Sequence, residues 1–237
     1  LFRSPELERS IRDAQTLVAV EDLYRPYKPK RRTRAMIAKE KGLEPLADLI
    51  SMQMVKEPLL QAAAAYISQE KGVETAEDAI QGAKDILAER ISDNAEYRTY
   101  IRNATMNKGV VQSSAKDEKA QSVYEMYYNY EEPVKKCAGH RILALNRGEN
   151  EKILTVKIAA PEDQILMYLE KQTIVRDNPH TTPVLKEAAA DSYQRLIGPS
   201  IEREIRSGLT ERAEEGAIKV FGKNLEQLLM QPPIVGR

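Results

Sequence analysis

Apolar residues recur at steps of three and four along most of the chain, and that spacing predicts helices. Leu7, Ile11, Ala14, Leu17 and Val18 line one face of a helix from Pro5 to Val20. Ser4 is its cap and Pro5 its first residue. Thr33 caps a helix to Lys41 that Gly42 closes, and a short helix holds Leu46, Leu49 and Ile50. Another runs from Pro58 through Tyr66 and Ile67 to Gly72. The longest periodic run of the first half starts at Thr75, with Asp78 three residues on as a weaker form of the capping box. Its stripe is Ala79, Ile80, Ala83, Ile86, Leu87 and Ile91, continuing through Tyr97, Ile101 and Ala104 past a break at Asp93-Asn94.

The middle of the chain has a different rhythm. Val110-Val111 begins a short strand, and residues 113–123 are polar and expected as loop. A short helix runs from Gly139 with Gly148 in the position after its end, and Leu154, Val156 and Ile158 then alternate with Thr155 and Lys157. Helical spacing returns at Pro161–Gln172 and Pro183–Ile197, and Gly198-Pro199 reads as a break. From Ser200 the stripe Ile201, Ile205, Leu209, Ala213, Ala217, Val220, Phe221, Leu225 and Leu228 persists for about eight turns. Its Ile201–Ile205–Leu209 part is expected to pack on the Leu185–Ile197 helix. The fold class is therefore mainly α, a multi-helix scaffold with a small β element in the middle. Three segments are expected: a helical region 1–108 with a basic, Pro-rich loop, a small mixed α/β insertion 109–160, and a helical segment 161–237.

Composition narrows the class. Of 237 residues 42% are apolar and 30% charged, enough for a core beneath a solvated surface, in one elongated domain or two lobes. Net charge is zero, so any nucleic-acid role must rest on local clustering. Cys137 is the only cysteine, which excludes an internal disulfide and suits a reducing, cytoplasmic setting. No apolar run approaches the roughly 18–20 residues that cross a bilayer, so a membrane is not an expected partner.

That local clustering lies between Arg25 and Lys41. Arg25, Lys28, Lys30, Arg31, Arg32, Arg34, Lys39 and Lys41 face Glu40 alone, a local charge of +7. Pro26 and Pro29 hold the stretch extended, Tyr24 and Tyr27 are interleaved, and Arg binds phosphate bidentately. The candidate nucleic-acid-binding residues are Arg25, Lys28, Lys30, Arg31, Arg32 and Arg34, making weak contacts without sequence preference. The competing reading is a structural clamp, in which these charges pair with acidic helices. Tyr124, Tyr127, Tyr128 and Tyr130 either stack on bases or, as such clusters more often do, cover a small core. Cys137 and His140 have the spacing of two zinc ligands, but a structural site needs four and His180 is the only other histidine. No phosphate loop or nucleophile elbow occurs. No metal, cofactor or enzymatic reaction is expected.

The stretch Val20–Ala47, VEDLYRPYKPKRRTRAMIAKEKGLEPLA, resembles the signature of the bacterial Tex family of transcription accessory, RNA-binding proteins. DNAEYR at 93–98, HRILALNRG at 140–148, ADSYQRLIGPSIEREI at 190–205 and AIKVF at 217–221 are similar to later family segments in the same order. The resemblance implies a fragment of a multidomain protein, ending just before an RNase H-like domain. Helix-hairpin-helix elements and an OB-fold RNA-binding domain would follow. It implies a non-catalytic scaffold region that contributes to RNA or nucleic-acid binding, RNA ahead of DNA and weak for this region alone. The remaining domains of the parent chain and the transcription machinery are the implied partners. The alternative is a purely structural or protein-docking module.

Overall fold

A computed structural model describes residues 4–29 and 31–231. Eleven α-helices and three strands are seen among them. The chain divides into two units, one of residues 1–102 and 162–201, the other of residues 103–161 and 202–237.

The first unit is helical. It contains α1 (Pro5–Asp13), α2 (Leu17–Tyr24), α3 (Arg34–Glu40), α4 (Glu44–Met52), α5 (Leu59–Ala64), α6 (Ala76–Ser92) and the first part of α7 (Ala95–Lys108). Later in the chain it adds α9 (Glu162–Thr173), α10 (Thr182–Asp191) and the start of α11 (Gly198–Leu229). The expected caps form. The Thr33 hydroxyl accepts from the Met36 N–H at 3.1 Å, Gly42 takes φ +80°, and Thr75 and Asp78 complete a reciprocal capping box. The expected Pro5–Val20 helix is two, because Thr16 starts a new one by accepting from the Ala19 N–H. The Pro58 helix is likewise shorter than expected, and Ser68 and Val73 close a small bridge after it.

α6 is the hub of this unit, packing on α3, α4, α5 and α10. It buries Ala79, Ala83, Ile86 and Leu87, and its small residues let neighbouring backbones come close. Gly82 is the tightest case: a Cβ there would lie 2.3 Å from Leu43 Cδ1. Gln53, in a left-handed conformation at φ 53°, ties α4 to the α9–α10 connection. It donates to the Thr173 carbonyl and accepts from the Arg176 N–H, each at 2.8 Å.

Gly198-Pro199 does not break the chain into separate helices. Ser192–Ile197 forms a π-helical turn between α10 and α11. Pro199 sits in the first turn of α11, where no backbone donor is required.

The second unit holds an antiparallel sheet in the order β2-β1-β3, formed by β1 (Val110–Ala115), β2 (Asn129–Pro133) and β3 (Leu154–Ala159). Val111 pairs with Glu132 on one side and Ile158 on the other. α8 (Gly139–Asn150) covers the sheet, and Leu154, Val156 and Ile158 alternate inward as their spacing predicts. β2 was not expected, and β1 extends into residues read as loop. Gly148 also departs from expectation. It is buried inside α8, where a Cβ would sit 2.6 Å from Leu154 Cδ1, so it is a close-packing residue rather than a terminator.

The α11 stripe packs differently from its expectation. Ile201 belongs to the first unit, but Ile205 and Leu209 are buried in the second. Leu209 lies with Ile142, Leu145, Val156 and Ile158 around a small void, and Ala213 fits against Gly139. Leu209 and Ala213 are therefore covered by α8 and the sheet. Beyond Ala213 no described residue of α11 is buried, and Phe221 is 68% exposed.

Candidate nucleic-acid interface

The basic stretch begins where α2 ends. Pro26 and Tyr27 lie in a single 3-10 turn, Lys28 is extended after it, and Thr33, also extended, caps α3. Asp22, on the last turn of α2, is 2% exposed and anchors this start. Arg98 Nε donates to its Oδ1 at 2.6 Å and Arg102 donates to its Oδ2 at 2.5 Å. Arg25 Nε lies 3.9 Å from Oδ1. Arg98 is 1% exposed and also donates to Ser200 Oγ at 3.0 Å. Burial pushes its guanidinium below the ordinary arginine value, and the neighbouring cations Arg25 and Arg102 add to that while Asp22 opposes it.

The six candidates therefore divide. Arg25 belongs to the buried Asp22 cluster. Lys28 and Arg31 are exposed. Arg32 is exposed and donates to Glu40 at 2.9 Å. Surface pairs of this kind contribute about 0–1 kcal/mol, so Glu40 is readily displaced by a phosphate. Arg34 opens α3 and is exposed at the edge of a cleft between α3 and α6. Lys30 lies outside the described residues. Tyr24 and Tyr27 are both about half exposed.

Two arrangements escaped the sequence reading. Asp22 and Arg98 are 76 residues apart, and only their places in the signature and in the DNAEYR segment hinted at them. The second is a set of charges behind Arg34. Arg195 donates to Asp191 at 2.9 Å and to Asp85 at 3.4 Å. Burial raises the Asp85 carboxyl, against the pull of Arg195 and Arg34. Hydrogen bonding from Arg195 holds Asp191 below the usual carboxylate range.

The tyrosine cluster serves the core of the second unit. Tyr124 and Tyr127 are buried, Tyr127 meets Tyr130 edge-on at 5.3 Å, and the Tyr124 hydroxyl donates to Glu151 at 2.9 Å. Next to it Tyr130 donates to Glu132, which also accepts from Arg141 at 2.6 Å. Burial beside Glu132 pushes the Cys137 thiol up to about 11, the opposite of a reactive thiolate.

Together these features define a helical module with one outward-facing cationic segment fixed at its base by a buried ion cluster. A family model described as Tex central region-like matches residues 56–221. The chain is 51% identical to the uncharacterized protein YdcI of Bacillus subtilis over 98% of its own length and 32% of that protein's. It is 35% identical to Protein tex of Bordetella pertussis, covering 97% of this chain and 31% of that one. It is also 30% identical to the human S1 RNA-binding domain-containing protein 1, over 98% and 24% respectively. The chain belongs to the Tex family and spans about a third or less of the length of these relatives.

Proposed function

We propose that this chain is a non-catalytic helical scaffold of a Tex-like transcription accessory protein, and that it contributes electrostatic, sequence-independent contacts to RNA. The observation that carries this reading is the exposure of Lys28, Arg31, Arg32 and Arg34 between the end of α2 and the first residue of α3, next to the turn that Asp22 pins. Such a segment offers cations to successive phosphates, and a fixed base lowers the ordering cost of binding. Two relatives support RNA over DNA: one is an S1 RNA-binding domain-containing protein, and another, from Neisseria gonorrhoeae, is a transcriptional accessory protein. We assign the chain no reaction and place its work in the cytoplasm, alongside the rest of the parent protein and the transcription machinery. Among the described residues no helix is long and apolar enough to cross a membrane.

The clamp reading draws support from Arg25, which is turned onto Asp22, and from the Arg32–Glu40 pair. Fluorescence anisotropy with labelled single-stranded RNA, single-stranded DNA and duplex DNA tests the proposal. Binding that weakens steeply between low and moderate salt, with RNA at least equal to DNA, supports it. No binding to any of the three at low salt leaves the clamp.

A further inference from the structure

The cleft behind Arg34 has a volume of about 460 Å³, within the range of roughly 300–1,000 Å³ typical of small-ligand sites. One wall is α3, with Arg34 and Lys41 at its two ends and Ile37 between them. The other is α6, which contributes Asp78, Gln81 and Asp85. The walls run in opposite directions: Arg34 faces Asp85, while Lys41 donates to the Gly72 carbonyl at 2.7 Å, two residues before Glu74.

Several of these groups are already engaged. Lys41 is spent on Gly72, Asp78 accepts from the Thr75 N–H at 3.1 Å, and Asp85 is 12% exposed and held by Arg195. Arg34 and Glu74 are exposed at opposite ends of the cleft. Seven residues at 1.5 Å rise put Arg34 and Lys41 about 10 Å apart along α3, and Glu74 follows two residues after the carbonyl that Lys41 holds. Between them Ile37 supplies an apolar surface that is 36% exposed.

We propose that this cleft receives one guanosine unit of a single-stranded RNA, with its phosphate on Arg34, its base against Ile37, and its Watson–Crick edge on Glu74. Guanine is the base with two adjacent donors, N1–H and N2–H, on that edge, and a carboxylate offers two matching acceptors. Adenine, cytosine and uracil each place an acceptor beside a donor there, and a carboxylate repels that acceptor. The cationic wall continues from the segment 25–34, so a strand lying on that segment is delivered to the mouth of the cleft. The inference rests on the nucleic-acid reading above and adds to it a base preference that the exposed segment alone does not give.

The test compares all-uridine RNA nonamers with the same nonamer carrying one central guanosine, by anisotropy at low salt. The wild-type chain is expected to prefer the guanosine oligomer by about tenfold, the discrimination of one bidentate contact. Glu74→Gln leaves the fold untouched, being an exposed isosteric change, and is expected to abolish the preference while all-uridine affinity holds or rises slightly. Gln81→Trp, which fills the cleft from its exposed rim, is expected to do the same, with an unchanged melting temperature as its folding control. Equal wild-type affinity for the two oligomers overturns the proposal and leaves the nucleic-acid reading standing. A preference that survives both variants overturns it too. Failure to bind either oligomer overturns both.

Discussion

Replacing Asp22 with Asn removes the one carboxylate on which Arg98 and Arg102 converge. The change is nearly isosteric, so packing is conserved and the effect is electrostatic. Arg98 is 1% exposed and Asp22 2%, so solvent cannot take over the lost charge. Breaking a buried pair from one side costs about 3–5 kcal/mol, because the other ion stays desolvated and unneutralised. Arg98→Met is expected to cost less, about 3 kcal/mol, the lower end of the same range, since Asp22 keeps Arg102 at 2.5 Å. For a chain of this size 3–5 kcal/mol lowers the melting temperature by roughly 6–20 °C. Thermal unfolding followed by circular dichroism, with urea unfolding beside it, measures both variants and their double mutant. The double mutant should be less destabilised than the two single losses summed, because the partners share one interaction. A melting temperature for Asp22→Asn within a degree or two of wild type would refute the claim that this cluster fixes the base of the basic segment.

Other outcomes follow from the packing and the charges. Ile205→Ala, 5% exposed in the α11 stripe, should cost about 2–4 kcal/mol in urea unfolding. Phe221→Ala, 68% exposed on the same helix, should stay within about 0.5 kcal/mol of wild type. Gly148→Ala places a methyl 2.6 Å from Leu154 Cδ1 and should cost about 1–3 kcal/mol by overpacking. Asp191 is held below the usual carboxylate range, first by the hydrogen bond from Arg195. A depressed carboxylate adds stability that is present above its unfolded value of about 3.9 and lost as pH falls through its folded value. Asp191→Asn should therefore lower the melting temperature at pH 7 and flatten its decline below about pH 4, as read by a pH series of thermal melts.

Most helices were legible because their signals are local. Thr33 and Thr75 announce helix starts by what one side chain does three residues on, and the α6 stripe needs only its own periodicity. The failures involve partners distant in sequence or context that reverses a local rule. β2 carries Glu131 and Glu132 at the edge of a sheet, where charge is tolerated on the open side, so its residues carried no strand signal. Gly198-Pro199 reads as a break, yet a π turn ahead of it and a first-turn position for the proline let the helices follow on. The α11 stripe was visible, but periodicity names a face without naming what covers it. The site divides in the same way. The cations between Arg25 and Arg34 stand out in composition, whereas the Asp22–Arg98 contact and the pairing of α3 with α6 exist only after folding.

The central claim, that Arg31 and Arg32 contact phosphate, is tested most directly by the salt dependence of RNA binding in the Arg31→Ala/Arg32→Ala double variant. Each phosphate contact on a single strand contributes a log–log slope of about −0.7, so three or four contacts give the wild type a slope near −2 to −3. The double variant is expected to bind all sequences more weakly, with that slope shallower by about one to two units and the melting temperature little changed. A large loss of melting temperature with an unaltered slope would contradict the account and make the segment a structural clamp.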